Sequence, residues 1–251
     1  MQKHTMKQHI TALFLAAAMG LAPAIHAAPN TPNSAAAQVQ SPVPNNMPET
    51  MLRRVAMAAA MLQRGQAERA MPELNRLVAE TDTIFKRDTK NRIFAADDSK
   101  RVLAILLDAA NHNQSTIVVS AEWIAPLYLR AYAHTELGQF DAARADLNRA
   151  LAISPLNPRV LGERAQLDMR QKNFAPAEAD LNKMREVGKL TDNPHMAVEY
   201  QGFALRGLGY IAVERKQWDK ALNFYREALK LNPQDAKAEA EIDYIRQNRT
   251  K

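Results

Sequence analysis

Residues 128–158 read YLRAYAHTELGQFDAARADLNRALAISPLNP, and the second half of that stretch returns twice further along the chain. GQFDAARADLNRAL, from Gly138, is echoed by KNFAPAEADLNKMR from Lys172 and by KQWDKALNFYREAL from Lys216. In register, Gly138, Lys172 and Lys216 are followed two residues on by Phe140, Phe174 and Trp218. Then come Ala143, Ala177 and Ala221, next Leu147, Leu181 and Tyr225, and last Ala150, Met184 and Ala228. Steps of four and three residues keep these positions on one helical face. The small residue lets a second helix backbone approach, the aromatic plugs the base of the helix pair, and the Gly or Lys marks the turn. Leu127 and Ala131, Leu161 and Ala165, and Leu205, Leu208 and Gly209 supply the facing helix. Pro155 and Pro233 stop the second helix and aim the chain onward. Such a pair cannot bury its apolar face alone, so neighbouring pairs must stack.

These residues resemble the tetratricopeptide repeat, whose 34-residue signature runs W-x2-L-G-x2-Y, then A-x3-F, then P. The third copy carries Leu205 in the Trp place, Leu208 and Gly209 as the Leu-Gly pair, Ala221 with Tyr225, and Pro233. The resemblance implies an all-α chain: a right-handed α-solenoid of helix-turn-helix repeats ending in a capping helix, for which Ala238, Ile242 and Ile245 form the inward stripe. Two departures are visible. Lys189 stands where the second copy should carry Pro, and Phe174 to Trp218 spans 44 residues (218 − 174), ten more than one period. Asn193 as a cap and Pro194 at the first helical position predict that the third copy's first helix begins early and runs to about Arg215. A weaker fourth copy, MAAAMLQRGQAERAMPELNRLV over 57–78, keeps Gly65, Ala70, Leu74 and Leu77 but has Ala67 for the turn aromatic. The repeats therefore occupy 124–251 and a degenerate, repeat-like region occupies 50–123.

Lys3 and Lys7 precede an apolar run from Ile10 to about Ala22 and then small residues, which reads as a signal peptide over 1–27. The run is shorter than the roughly 20 residues of a membrane span. Residues 28–49 hold five Pro up to Pro48 and almost no large apolar side chain, the composition of a disordered tether. Removing 1–27 takes away two Lys and no acid, so the formal charge falls from +6 to +4, only mildly basic. With no Cys, neither a disulfide nor a thiolate metal site can form, and no lipid-anchoring Cys follows the signal. The expected location is the periplasm or the medium outside the cell. STIVVS at 115–120 is the one β-branched cluster, too short to suggest a sheet. DTIFKRDTKNRIFAADD at 82–98 reads as an exposed basic loop, and SKRVLAILLDAAN after it aligns Val102, Ile105, Leu106 and Ala109 as one apolar helical stripe.

No HExxH, GxSxG or P-loop occurs, and His112, His134 and His195 lie far apart, so neither an enzyme, a metal nor a cofactor is expected. Asp97 and Asp98 sit where a helix start would use them as caps. Arg130 and Arg164, repeated with Asp146 and Asp180, suggest ion pairs between helices. The expected partner is another protein, with no nucleic acid, because acids interleave with bases throughout. The family resemblance implies an inner groove lined by first-helix residues: Tyr128, Tyr132, Arg159, Glu163, Gln166, Arg170, Phe203, Arg206 and Tyr210. The family's Lys and Asn clamp for a terminal carboxylate has no match at Tyr128 and Tyr132. A peptide or helix of a partner would lie in this groove; the alternative is a self-associating scaffold of the cell envelope.

Overall fold

The 34-residue echo becomes four stacked helix pairs in the computed structural model, which describes residues 41–249. The pairs are α1 (Glu49–Gln63) with α2 (Ala67–Phe85), α4 (Ala125–Glu136) with α5 (Phe140–Ile153), α6 (Pro158–Arg170) with α7 (Phe174–Val187), and α8 (Pro194–Glu214) with α9 (Trp218–Leu231). The second helix of each pair packs on the first helix of the next, and α10 (Ala236–Asn248) closes the series on α9. Ala238, Ile242 and Ile245 are buried on its inner side, as a cap requires. The expected signal peptide and residues 28–40 of the tether lie outside the described residues.

One turn geometry recurs between paired helices. Gly65, Gly138, Lys172 and Lys216 all have positive φ, between 57° and 73°. The residue after each donates its N–H five residues back, as in Gln139 to His134 O, Asn173 to Asp168 O and Gln217 to Ala212 O, each 2.8 Å. This left-handed closure satisfies the last carbonyls of the first helix. Asn193 caps α8 through its side chain, accepting from the N–H groups of His195 and Met196, and Pro194 opens the helix.

Packing at the helix crossing follows a size rule. Ala58, Ala131, Ala165 and Gly209 share one register position on the first helices, Leu74, Leu147, Leu181 and Tyr225 share the partner position on the second helices, and all eight are buried. Where the partner is Leu the small residue is Ala; where it is Tyr225, only Gly fits, since a Cβ at Gly209 would lie 2.6 Å from the ring. Ala143, Ala177 and Ala221 are fully buried. Phe140, Phe174 and Trp218 are half-buried, packed against the edge of the core instead of plugging the base of each pair, because each stands at the first position of its helix, next to the exposed turn. The fully buried Trp is Trp123, whose Nε1 donates to Pro44 O at 3.1 Å.

Arg130 donates from Nε and Nη2 to both oxygens of Asp146 at 2.7 Å, and Arg164 does the same to Asp180 at 2.7 Å. Asp146 and Asp180 are 3% and 6% exposed. Each Arg also reaches back to the preceding pair, Arg130 to Asn75 at 3.0 Å and Arg164 to Asn148 at 2.7 Å. The repeated LN motif thus links one pair to the next.

Two regions depart from the sequence reading. Between α2 and α4 lies a β-α-β insert: β1 (Arg92–Ala96), α3 (Ser99–Asn111) and β2 (Thr116–Ser120), with the strands parallel and Phe94 opposite Val118. The loop expected over 82–98 therefore contains a strand, and STIVVS is its partner. On α3, Ile105 and Ala109 are buried but Leu106 is exposed, so the apolar stripe faces inward only in part. The tether also ends before residue 49. Val43 and Met47 are buried, and Asn45 O accepts from Ser120 N at 2.9 Å, so residues 41–48 are held against the end of β2 by Trp123 and the core.

Candidate functional site

The inner strip is set by the first helices α4, α6 and α8. Tyr132, Gln166 and Tyr210 occupy one register position in the three successive helices, spaced 34 (166 − 132) and 44 (210 − 166) residues apart. One turn further on, Glu136, Arg170 and Glu214 form a second row, all three exposed. Tyr132 and Tyr210 are half-buried, and burial pushes both hydroxyls up to about 12, helped by Glu136 beside Tyr132 and Glu214 beside Tyr210.

The remaining expected residues are deeper or already engaged. Tyr128 is buried and its hydroxyl, raised well above the usual range by that burial, donates to the carboxylate of Glu163. Glu163 and Gln166 are 7% and 5% exposed. Arg159 donates from Nε to the Tyr200 hydroxyl at 3.3 Å, and Arg206 is paired with the buried Asp235. Phe203 is half-buried and stands against the backbone of Gly162. Of the nine residues, Arg170 alone is exposed.

Sequence reasoning missed what closes the α6 end of this strip. The start of α3 and Asp192 exchange hydrogen bonds: Asp192 N donates to Asp98 Oδ1 at 2.6 Å, and Ser99 donates from N and Oγ to Asp192 Oδ2 at 3.2 and 2.7 Å. Asp98 is the first residue before α3, but its carboxylate bonds Arg101 and Asp192 and caps no N–H of its own helix. Buried Arg101, paired with Asp97 at 2.6 Å, lies over the Tyr200 ring at 5.8 Å. The 44-residue interval is taken up mainly by α8 itself, 21 residues against 13 in α6, and Thr191 and Asp192 just before it seat the insert. His134 is largely buried and hydrogen-bonded to Gln139 at 2.6 Å. Among the described residues no group of three His, Asp or Glu could hold a metal, and no helix is long and apolar enough to cross a membrane.

Family models for the tetratricopeptide repeat match residues 134–196 and 202–235. These two stretches are tetratricopeptide repeats. The matches begin at the end of α4 and reach Asp235, leaving 197–201 between them, and α1, α2, the insert and most of α4 lie outside them. Among solved structures, the first TPR of Spaghetti (RPAP3), determined bound to the HSP90 peptide SRMEEVD, is similar at 23% identity and a TM-score of 0.42. The similarity covers 53% of this chain and 98% of that one. No curated protein matches the chain.

Proposed function

We propose that this tetratricopeptide-repeat chain is an exported protein-protein interaction module, which takes a peptide or helix of a partner along the inner strip of α4, α6 and α8. The observation that carries the reading is the row Tyr132, Gln166 and Tyr210, one side chain per repeat at one register position, with the two Tyr half-exposed. Tyr combines contact area with a hydrogen-bonding hydroxyl at small cost in conformational freedom, the pairing that protein-binding surfaces favour. The flanking row Glu136, Arg170 and Glu214 alternates in sign, so it suits a segment with complementary alternating charges rather than a uniformly acidic one. Arg159 and Arg206, engaged by Tyr200 and Asp235, position the wall. The signal-like leader supports the cell envelope as the place of action.

The test is capture from envelope extract on two baits, the wild-type chain and a Tyr132→Ala/Tyr210→Ala variant of equal helicity. A protein held by the first and lost by the second supports the strip; equal capture by both rejects it. A second reading, a scaffold acting by self-association, is favoured by the exposed Leu103 and Leu107 on α3, 57% and 56% open to solvent. A mass by light scattering that rises with concentration, and stays at one chain in Leu103→Lys/Leu107→Lys, would support that role.

A further inference from the structure

Among the described residues three buried polar atoms on α6 have no partner: Oε2 of Glu163, Nε2 of Gln166 and Oδ2 of Asp168, whose other oxygen is held by Arg144, so Glu163 and Gln166 are the two turned away from that ion pair. They are three residues apart and so share a face of the helix. Tyr128, on α4, satisfies part of the Glu163 carboxylate, which places the pair at the α4–α6 side of the inner strip. Tyr132 stands beside Glu163, and Phe203 of α8 flanks α6 at Gly162. A buried acceptor and a buried donor left unmade each destabilise the fold, and such groups are uncommon in folded proteins. Here they share one helix face, with opposite hydrogen-bonding character, Gln166 being the middle member of the Tyr132, Gln166, Tyr210 row and Glu163 standing one turn before it.

We infer that Glu163 and Gln166 form a reading site for one amide group of the bound partner, the carboxylate accepting its N–H and the Gln166 amide donating to its C=O. The inference rests on the strip being the binding surface and names what the strip reads. An amide presents one donor and one acceptor, the complement of this pair, whether it comes from the partner's main chain or from an Asn or Gln side chain. A carboxylate ligand is disfavoured, because it would set two acceptors against Glu163. A cation would satisfy Glu163 and leave the Gln166 donor unmet. Tyr132, half-buried beside the pair, is the side chain whose rotation admits the segment. Burial raises the Glu163 carboxyl to about 7, opposed by Arg170 on its own helix and by the Tyr128 hydrogen bond, and aided by Glu136 on α4. Protonation therefore competes with the partner's N–H, so binding strengthens as the pH rises through that value.

The experiment selects binders to the whole chain from a phage-displayed library of random peptides, then measures resynthesised peptides by fluorescence anisotropy at pH 6 and 8. Glu163→Gln and Gln166→Leu should each weaken binding roughly tenfold, the loss of one hydrogen bond to a charged or buried group. Each variant should keep the wild-type melting temperature or exceed it. The double variant Glu163→Gln/Gln166→Glu, which restores one donor and one acceptor with their places exchanged, should recover most of the affinity. Peptides with Asn or Gln replaced by Leu, and peptides N-methylated at single positions, tell a side-chain amide from a main-chain one. If selected peptides bind both single variants as tightly as wild type while Tyr132→Ala abolishes binding, the strip stands and the amide-reading pair is wrong. If no peptide is selected, or if Tyr132→Ala leaves binding intact, the strip itself fails and the pair with it.

Discussion

The middle repeats, α4 to α7, and the last pair, α8 with α9, hold a first helix against a second by different means. In the middle repeats a bidentate Arg-Asp pair sits beside an Ala-Leu contact, Arg130 with Asp146 and Arg164 with Asp180. In the last pair the corresponding positions are Leu208 and Phe224, and the crossing is filled by Tyr225 against Gly209. The core divides accordingly. One cluster runs from Val43 through the middle repeats, and a second gathers Leu205, Tyr225 and the inner face of α10. The same backbone period therefore tolerates either a charged staple or an aromatic wedge, provided the pair changes together.

Breaking the staple should have the largest effect. Asp146→Ala leaves the Arg130 guanidinium, 16% exposed, without its counter-charge, and removing one partner of a buried pair costs about 3–5 kcal/mol. Urea melts of Asp146→Ala and Asp180→Ala should show losses of that order; unchanged midpoints would reduce the pairs to surface ornaments. Replacing both members, Arg130→Leu with Asp146→Phe, imitates the last repeat and should restore much of the loss.

The wedge is tested at Gly209. Gly209→Ala drives a methyl into the Tyr225 ring and should destabilise by about 1–3 kcal/mol, as overpacking does. Gly209→Ala with Tyr225→Leu recreates the middle repeats' own pairing and should recover most of that, measured by thermal melts of the four combinations. Additive losses in this cycle would show that the size rule is coincidence.

A third test contrasts two kinds of buried carboxylate in the middle repeats, those held by Arg and Glu163, which no Arg clamps. Burial raises the folded-state value of Glu163 from 4.5 to about 7. The fold thus prefers its protonated form, so its contribution is complete below about pH 4.5 and is lost as pH rises to 7. Relative to Glu163→Gln, the wild type should lose on the order of 1–3 kcal/mol across that window. A difference between the two proteins that does not change with pH would remove the buried carboxyl from the account.

The register of Gly138, Lys172 and Lys216 was legible because turn, small residue and apolar partner are local and repeat. The insert was not. RIFAA and TIVVS are five residues each, and a parallel pair forms only through the helix between them, so neither strand declares itself alone. The fate of the inner side chains was equally non-local. Arg159 meets Tyr200 41 positions away and Arg206 meets Asp235 29 positions away, so helical spacing could place them on a face without showing that they were occupied. Trp218 looked like the stabilising aromatic because it matched the repeat, whereas Trp123, outside the register, is the one enclosed by the core, the insert and residues 41–48.

The smallest expected effect asks whether the two regions differ anywhere but at the crossing. Lys172 closes a turn in the middle repeats and Lys216 closes the equivalent turn in the last, with φ of 60° and 57°. Both carry a Cβ in the left-handed region, which disfavours them by roughly 1 kcal/mol, while glycine enters that region freely but loses more freedom on folding. Lys172→Gly and Lys216→Gly should therefore each stabilise by a few tenths to about 1 kcal/mol, and by similar amounts. Equal gains in chemical denaturation would locate the difference between the regions in the staple and the wedge. Unequal gains would mean that the turn senses which of the two lies beneath it, and the helix pair would have to be treated as one mechanical unit from turn to crossing.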